Sequence, residues 1–158
     1  MPLEIERKFL LGAEPVPPAV ATEPIEQGYL AVTGTGTEVR VRRIAGRCVL
    51  GVKHGHGELS RVEVELPLTE SEFGDLWPAT AGARLVKTRH SVPVRDTLAY
   101  VDVYEEELSG LRTVEVEFPS EEAARAFTPP RWFGPEITGD KRYRNRRLAT
   151  EGLGPLAP

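Results

Sequence analysis

Two stretches decide the fold: Leu3-Glu4-Ile5-Glu6-Arg7-Lys8-Phe9 near the N-terminus and Val114-Glu115-Val116-Glu117-Phe118 far downstream. Along a strand, alternate residues point to opposite faces. Leu3, Ile5 and Phe9 therefore share one face of a first strand, and Glu4, Glu6 and Lys8 the other. Between these stretches the pattern recurs. Arg40 and Arg42 alternate with Val39 and Val41; Arg61, Glu63 and Glu65 with Val62, Val64 and Leu66; Tyr100, Asp102 and Tyr104 with Val101 and Val103. Lys87 and Arg89 repeat the charged spacing.

In a half-exposed sheet a charged face is the solvent face. Two features argue otherwise here. Solvent faces mix Ser, Thr, Gln and charge, whereas these strands repeat charge at every second position. Two short amphipathic helices also need an apolar sheet surface, which the Val-rich faces supply. The first runs from Thr69 through Phe73, Leu76 and Trp77; the second follows Ser120 as N-cap. With helices outside and the sheet curled closed, the charged faces line a lumen. Burying unpaired charge in a dry core is prohibitive, so that lumen is a wet binding cavity.

The remaining strands read as about Ile25–Val32, Glu38–Ile44, Cys48–Lys53, Glu58–Leu66, Arg84–Val94, Ala99–Glu106 and Leu111–Phe118. Residues 14–24 are proline-rich and read as a loop, His54-Gly55-His56-Gly57 as a turn, and residues 139–149 as one or two basic helical turns. The expected fold is α+β: a closed eight-stranded antiparallel β-barrel, a tunnel with a charged lumen and short helices packed outside. Residues 1–150 form its single domain and residues 151–158 a flexible tail.

Composition agrees with a globular domain. The chain has 158 residues, 40% of them hydrophobic and 28% charged, with a formal net charge of −4. The acidic balance argues against nucleic acid as a partner. A single cysteine, Cys48, excludes an intramolecular disulfide and reads as a small half-buried thiol. No run approaches the roughly 18 apolar residues of a membrane span, and the start carries no signal-peptide pattern, so the cytoplasm is the expected compartment. A homodimer is compatible with the sequence but leaves no trace in it.

The ligand follows from the lumen charges. Lys8, Arg40, Arg42, Lys53, Lys87 and Arg89 offer six cations to a polyanion with several oxygens. Glu4, Glu6, Glu115 and Glu117 would repel bare phosphate, which implies a hard divalent cation, Mg²⁺ or Mn²⁺, between them and the ligand. The expected partner is thus a small-molecule metal–polyphosphate complex.

The same residues resemble the CYTH superfamily of triphosphate tunnel metalloenzymes. Glu4-Ile5-Glu6-Arg7-Lys8 is similar to its E-x-E-x-K signature. In family order follow Gln27-Gly28-Tyr29-Leu30, Arg40-Val41-Arg42, Lys53, Glu63-Val64-Glu65, Lys87-Thr88-Arg89, Asp102-Val103-Tyr104, Gly110-Leu111, Glu115-Val116-Glu117 and a C-terminal block at 136–145. The resemblance, which spans nearly the whole chain, implies an eight-stranded tunnel and a metal-dependent triphosphatase of the short bacterial, inorganic triphosphatase-like branch. It implies that Glu6, Glu115 and Glu117 hold the metal. Glu4 would hold a second metal or orient the attacking water, and Asp102 would ligate metal or place water less directly. The six cations would clamp the phosphates. Glu4, then Lys87, is the expected acceptor of the water proton. Other branches imply alternatives: thiamine triphosphatase, a class IV-type adenylyl cyclase, or a non-catalytic polyphosphate-binding module.

Several residues have plainer readings. Glu63 and Glu65 suit salt bridges that orient the clamp, and Arg61 suits a paired partner. Tyr29 and Tyr104 suit packing with a tethered hydroxyl. His54 and His56 sit in a Gly-rich turn and are poor metal ligands. Trp77 and Trp132 suit packing. Lys141, Arg142, Arg144, Arg146 and Arg147 form either a solvated basic face or a plug at one tunnel mouth.

Overall fold

The computed structural model describes residues 3–55 and 60–156. Eight strands, β1 (Leu3–Leu10), β2 (Ala21–Val32), β3 (Glu38–Ile44), β4 (Arg47–Gly55), β5 (Ser60–Leu68), β6 (Arg84–Val94), β7 (Thr97–Tyr104) and β8 (Arg112–Glu117), close in the order β1-β5-β4-β3-β2-β6-β7-β8. Every pairing is antiparallel. This is the closed eight-stranded tunnel the alternation predicts.

Two boundaries differ instructively from the sequence reading. β2 starts at Ala21, inside the proline-rich stretch, and carries Pro24 in its ladder with β6. That is tolerable because β2 meets β3 only from Ile25 onward, so Pro24 lies where the strand has a free edge. β4 continues through His54 and Gly55, which the sequence suggests as a turn. His56, Gly57 and the first residues expected of β5, Glu58 and Leu59, lie outside the described residues.

The apolar faces point outward and are covered on two sides. Helix α1 (Glu70–Leu76) starts in a capping box between Thr69 and Glu72 and lays Phe73 on Val41 and Cys48. The short 3-10 turn after it, Trp77–Thr80, approaches β2 so closely that a Cβ on Gly28 would stand 2.6 Å from Thr80. This is why the chain has glycine between Gln27 and Tyr29. Helix α2 (Glu121–Ala126), capped by Ser120, and the segment behind it bring Phe118, Phe127, Trp132 and Phe133 over Phe9, Val101, Val114 and Val116. Leu3, Val64 and Leu66, 46%, 45% and 55% exposed, mark a third side that no helix among the described residues covers.

The C-terminal block completes the wall. β1 pairs with β5 only over residues 3–5. Beyond that its free edge is taken up by residues 134–138: Gly134 N–H donates to Leu10 O, Leu10 N–H to Pro135 O, and Ile137 N–H to Lys8 O. Arg7, on the outer face, grips this segment through two hydrogen bonds to Glu136 at 2.8 and 2.9 Å, and also donates to the carbonyls of Ala124 and Phe127. Helix α3 (Asn145–Glu151) then drops Leu148 onto Leu85 and Tyr104. Where the sequence suggests a loose tail from residue 151, Glu151 still belongs to α3, and Leu153 and Leu156 pack against the same cluster.

Candidate active site

The inward faces enclose a cavity of about 1060 Å³. A second, of about 310 Å³, shares Arg42, Glu65, Arg89 and Glu117 with it, so the lumen continues toward the opposite mouth. All six cations the sequence singles out line the main cavity, as do Glu4, Glu6, Glu115 and Glu117.

The strand register fixes who faces whom. Glu6 lies opposite Glu117, and Lys8 opposite Glu115. Like charges directly across a ladder are destabilising, so the Glu6–Glu117 pair needs a compensating cation. Glu4, Glu6 and Glu117 each bring one carboxylate oxygen to within 4.8 Å of the others. Burial, with Glu115 beside it, pushes the Glu6 carboxyl well above its usual range, and Glu6 Oε2 is buried with no hydrogen-bond partner. Burial also raises Glu4, against the pull of Lys53. Glu115 goes the other way: against burial, its hydrogen bond to Glu6 and the charges of Lys8, Arg89 and Lys53 hold it well below the carboxylate range. An all-oxygen, carboxylate-rich cluster with an orphaned oxygen fits a hard divalent cation.

Arg40 and Arg42 are held by carboxylates outside that cluster, and Lys53 by Glu4 within it. Arg40 donates to Glu63 at 2.9 Å and Arg42 to Glu65 at 3.2 Å. Lys53 Nζ lies 2.7 Å from Glu4 and 3.7 Å from Glu63. Glu63 and Glu65 thus act as braces for the clamp. Gly51, on β4 between Arg40 and Glu65, leaves the room in which the Arg40 side chain lies. Burial, Arg40 and Arg89 together lower the Arg42 pKa, and Arg42 Nε is buried without a hydrogen-bond partner. A guanidinium crowded by two others and left with a free donor is built to receive an anion.

Asp102, expected from the resemblance as a metal ligand or water-placing group, stands apart from the other carboxylates. It does not line the cavity. It lies within the wall, 1% exposed, accepting from Lys87 Nζ at 2.7 Å and from Arg89 at 2.9 and 3.0 Å. Its three hydrogen bonds tie it to these two cations. Despite burial, Arg89 and Lys87 hold it at about 2, while burial, with Arg89 beside it, brings the Lys87 ammonium down to about 7.

The plainer readings are met as follows. Tyr29 accepts from Gln27 at 2.8 Å and Tyr104 donates to Asn145 at 2.5 Å, both tethered. Arg61 pairs with Glu38 at 2.8 Å. Trp77 stacks on Phe73 and Trp132 lies edge-on to Phe133. The basic C-terminal segment divides. Arg142 pairs with Asp140 and Arg147 with Glu151 on the outside, whereas Lys141, Arg144 and Arg146 line the cavity mouth. Lys8 Nζ donates to Tyr143 O at 2.9 Å, tying this segment to the lumen. A signal for the division exists in the sequence: Tyr143 and Leu148 interrupt the basic run and are the residues that turn inward.

A closed barrel whose lumen joins a carboxylate cluster to a ring of arginines and lysines is the triphosphate tunnel of the CYTH type. No protein-family model matches the chain. An inorganic triphosphatase from Nitrosomonas europaea is 46% identical over 147 residues, covering 92% of this chain and 96% of its own. One from Acetivibrio thermocellus is 30% identical, covering 92% of each. The solved structure of the inorganic triphosphatase NE1496 superposes with a TM-score of 0.70 at 42% identity, covering 94% of this chain and 95% of its own. This chain belongs to the inorganic triphosphatase family.

Proposed function

We propose that the protein hydrolyses inorganic tripolyphosphate to diphosphate and orthophosphate with Mg²⁺ or Mn²⁺ as cofactor. The observation that carries this reading is the meeting, in one lumen, of the Glu4–Glu6–Glu117 cluster with the crowded, partly unpartnered cations of the clamp. The names of the relatives point the same way.

On this reading Glu6, Glu115 and Glu117, with Glu4, would hold the metal, which supplies charge neutralisation at the phosphate oxygens. Lys8, Arg40, Arg42, Lys53, Lys87 and Arg89 bind and align the chain of phosphates, so that the bond to be broken lies in line with the attacking water. Their charge disperses that developing on the transferring group. Glu4, whose burial raises its affinity for a proton, orients the water and accepts its proton. Lys87, near 7, is the second group able to exchange a proton at neutral pH. Asp102 holds Lys87 and Arg89 in place. Residues 1–150 then make one catalytic domain, acting in the cytoplasm on a small molecule and not on nucleic acid. One chain builds the whole tunnel, so a homodimer is compatible with this reading but not required by it.

The test is phosphate release from tripolyphosphate with Mg²⁺ or Mn²⁺, against an EDTA control and against ATP. EDTA-sensitive release faster than from ATP is expected. Cyclic AMP from ATP, or no turnover of any triphosphate, would overturn the reading.

A further inference from the structure

The lumen changes character at one end. On β3 the inward row of Arg40 and Arg42 continues as Ile44, and on β4 the row of Lys53 and Gly51 continues as Val49. β7 starts its own row with Leu98 and Tyr100. Ile44, Val49, Leu98 and Tyr100 all line the smaller cavity and none of them the larger. The neck between the two is made by Arg42, Glu65, Arg89 and Glu117, which line both. The strand register puts apolar side chains directly past that neck. Val49 lies opposite Arg42, and Leu98 precedes Ala99, which lies opposite Val116, the neighbour of Glu117.

A phosphate that moved past the neck would find little to hold it. Among the described residues that line only the smaller cavity, Arg47 is the one cation, and Glu23, the one carboxylate, offsets it. Ser91 and Tyr100 add a hydroxyl each. The Tyr100 ring covers one face of the Arg89 guanidinium, with 4.9 Å between its centroid and the guanidinium carbon. Phosphate oxygens brought against Ile44, Val49 and Leu98 would shed water without gaining donors, which for a charged group is prohibitive. On the other side of the neck the larger cavity presents Lys8, Arg40, Lys53 and Lys87. The attraction felt by a polyanion along the lumen thus ends in a step.

Resting on the tunnel reading above, we propose that Ile44, Val49 and Leu98 form an apolar end-stop that sets the register of the substrate. One terminal phosphate halts at the neck, beside Glu117, and the rest of the chain lies back along the clamp. The stop favours this placement of the phosphate bridges against the Glu4–Glu6–Glu117 cluster over one shifted by a phosphate unit. A misplacement of about 1 Å costs on the order of 10²-fold in rate, so the shifted placement is unproductive. The three side chains donate no hydrogen bond to the substrate and move no proton; they determine where it stops.

The experiment puts a cation past the stop. Leu98 is 37% exposed, so Leu98→Lys adds the charge without opening the core. Val49→Lys is the second variant, should the first fail to fold, and Leu98→Met is the conservative comparison. Initial rates on tripolyphosphate with Mg²⁺ give kcat and KM. Calorimetry with the imido analogue of tripolyphosphate, whose P–N–P bridges resist hydrolysis, gives Kd with the same metal. In the lysine variants the shifted placement gains one charge-assisted contact and competes with the productive one. kcat and KM therefore fall together, by about tenfold, with kcat/KM held, and the Kd of the analogue falls by a similar factor. Leu98→Met keeps wild-type values. A lower KM at unchanged kcat shows only added attraction and overturns the end-stop. So do a fall in kcat alone, no change at all, or an equal loss in Leu98→Met. A wild type that binds the analogue but does not turn over tripolyphosphate overturns the triphosphatase reading alone, and an unchanged Kd in the lysine variants then still overturns the end-stop. A wild type that neither binds nor turns over overturns both.

Discussion

Lys87 and Asp102 form an ion pair of 2.7 Å within the tunnel wall, with both side chains only 1% exposed. Arg89 shares the same carboxylate. Two lumen cations therefore depend on one carboxylate that is not part of the cavity lining.

Asp102→Asn should cripple the protein without touching the cavity surface. Removing one partner of a buried ion pair costs about 3–5 kcal/mol, because the remaining charge stays buried and uncompensated. Denaturant unfolding should show a loss of that order, and residual folded enzyme should have a markedly raised KM for tripolyphosphate. Wild-type KM in a folded variant would contradict the positioning role.

The pH dependence separates two roles for Lys87. Its ammonium sits near 7, below the usual lysine value, so it carries its proton below about 7 and loses it above. As a clamp cation it weakens substrate binding as pH rises through this value, so KM climbs while kcat holds. As the water's proton acceptor it would instead make kcat climb with pH. A pH series of both parameters, with Lys87→Met as the comparison, distinguishes them; the clamp outcome is expected.

Glu6 offers a test that couples metal binding to stability. Its folded-state pKa is raised, so the group favours the folded state most below its unfolded value near 4.5 and loses this as pH rises through the folded value. Metal-free protein should therefore lose stability, through this group, between acid and neutral pH. Mg²⁺ or Mn²⁺ should restore it, more at pH 8 than at pH 5, because protons compete for the same oxygens. Glu6→Gln should raise the metal-free Tm at pH 8 by at least about 2 °C and abolish the metal-induced rise. Thermal unfolding with and without metal measures both.

Glu115→Gln should abolish turnover and also cost stability, since Lys8, Arg89 and Lys53 lose the buried carboxylate whose charge they hold. A wild-type rate in Mg²⁺ would contradict the place of Glu115 at the reacting end of the lumen.

Gly28→Ala should destabilise the barrel by about 1–3 kcal/mol, the usual cost of forcing a methyl into a filled site. The new Cβ would stand 2.6 Å from Thr80. Adding Thr80→Ala should recover much of the loss in thermal unfolding.

Much of this was legible from charge periodicity. Glu4, Glu6 and Lys8 must share a face wherever β1 lies, and so must Arg40 and Arg42; six such faces leave little but a closed, wet lumen. What periodicity cannot resolve is depth. Asp102 alternates correctly with Val101 and Val103 yet is overlaid by the longer Lys87 and Arg89 side chains, so it lies within the wall. Nor does alternation reach residues outside strands. Arg144 precedes, and Arg146 belongs to, a short helix whose seating depends on Leu148 and on the bond from Lys8 to Tyr143 O. Arg7 looks like a fourth charge in its strand, and its partner Glu136 is 129 residues away in the chain.

The way β1 is stitched in has a consequence for how the molecule comes to exist. Its first three residues pair with β5, but its other half is held by β8 and by residues 134–138. The first of the eight strands in chain order thus waits for the C-terminal block before its edges are satisfied. Contacts of such sequence separation are slow to form, since loop closure precedes their reward. Until then β1 is an open edge carrying Ile5 and Phe9, the condition in which nascent β-proteins mispair. The alternating glutamates and lysine that serve the lumen also keep that waiting strand from joining its neighbours.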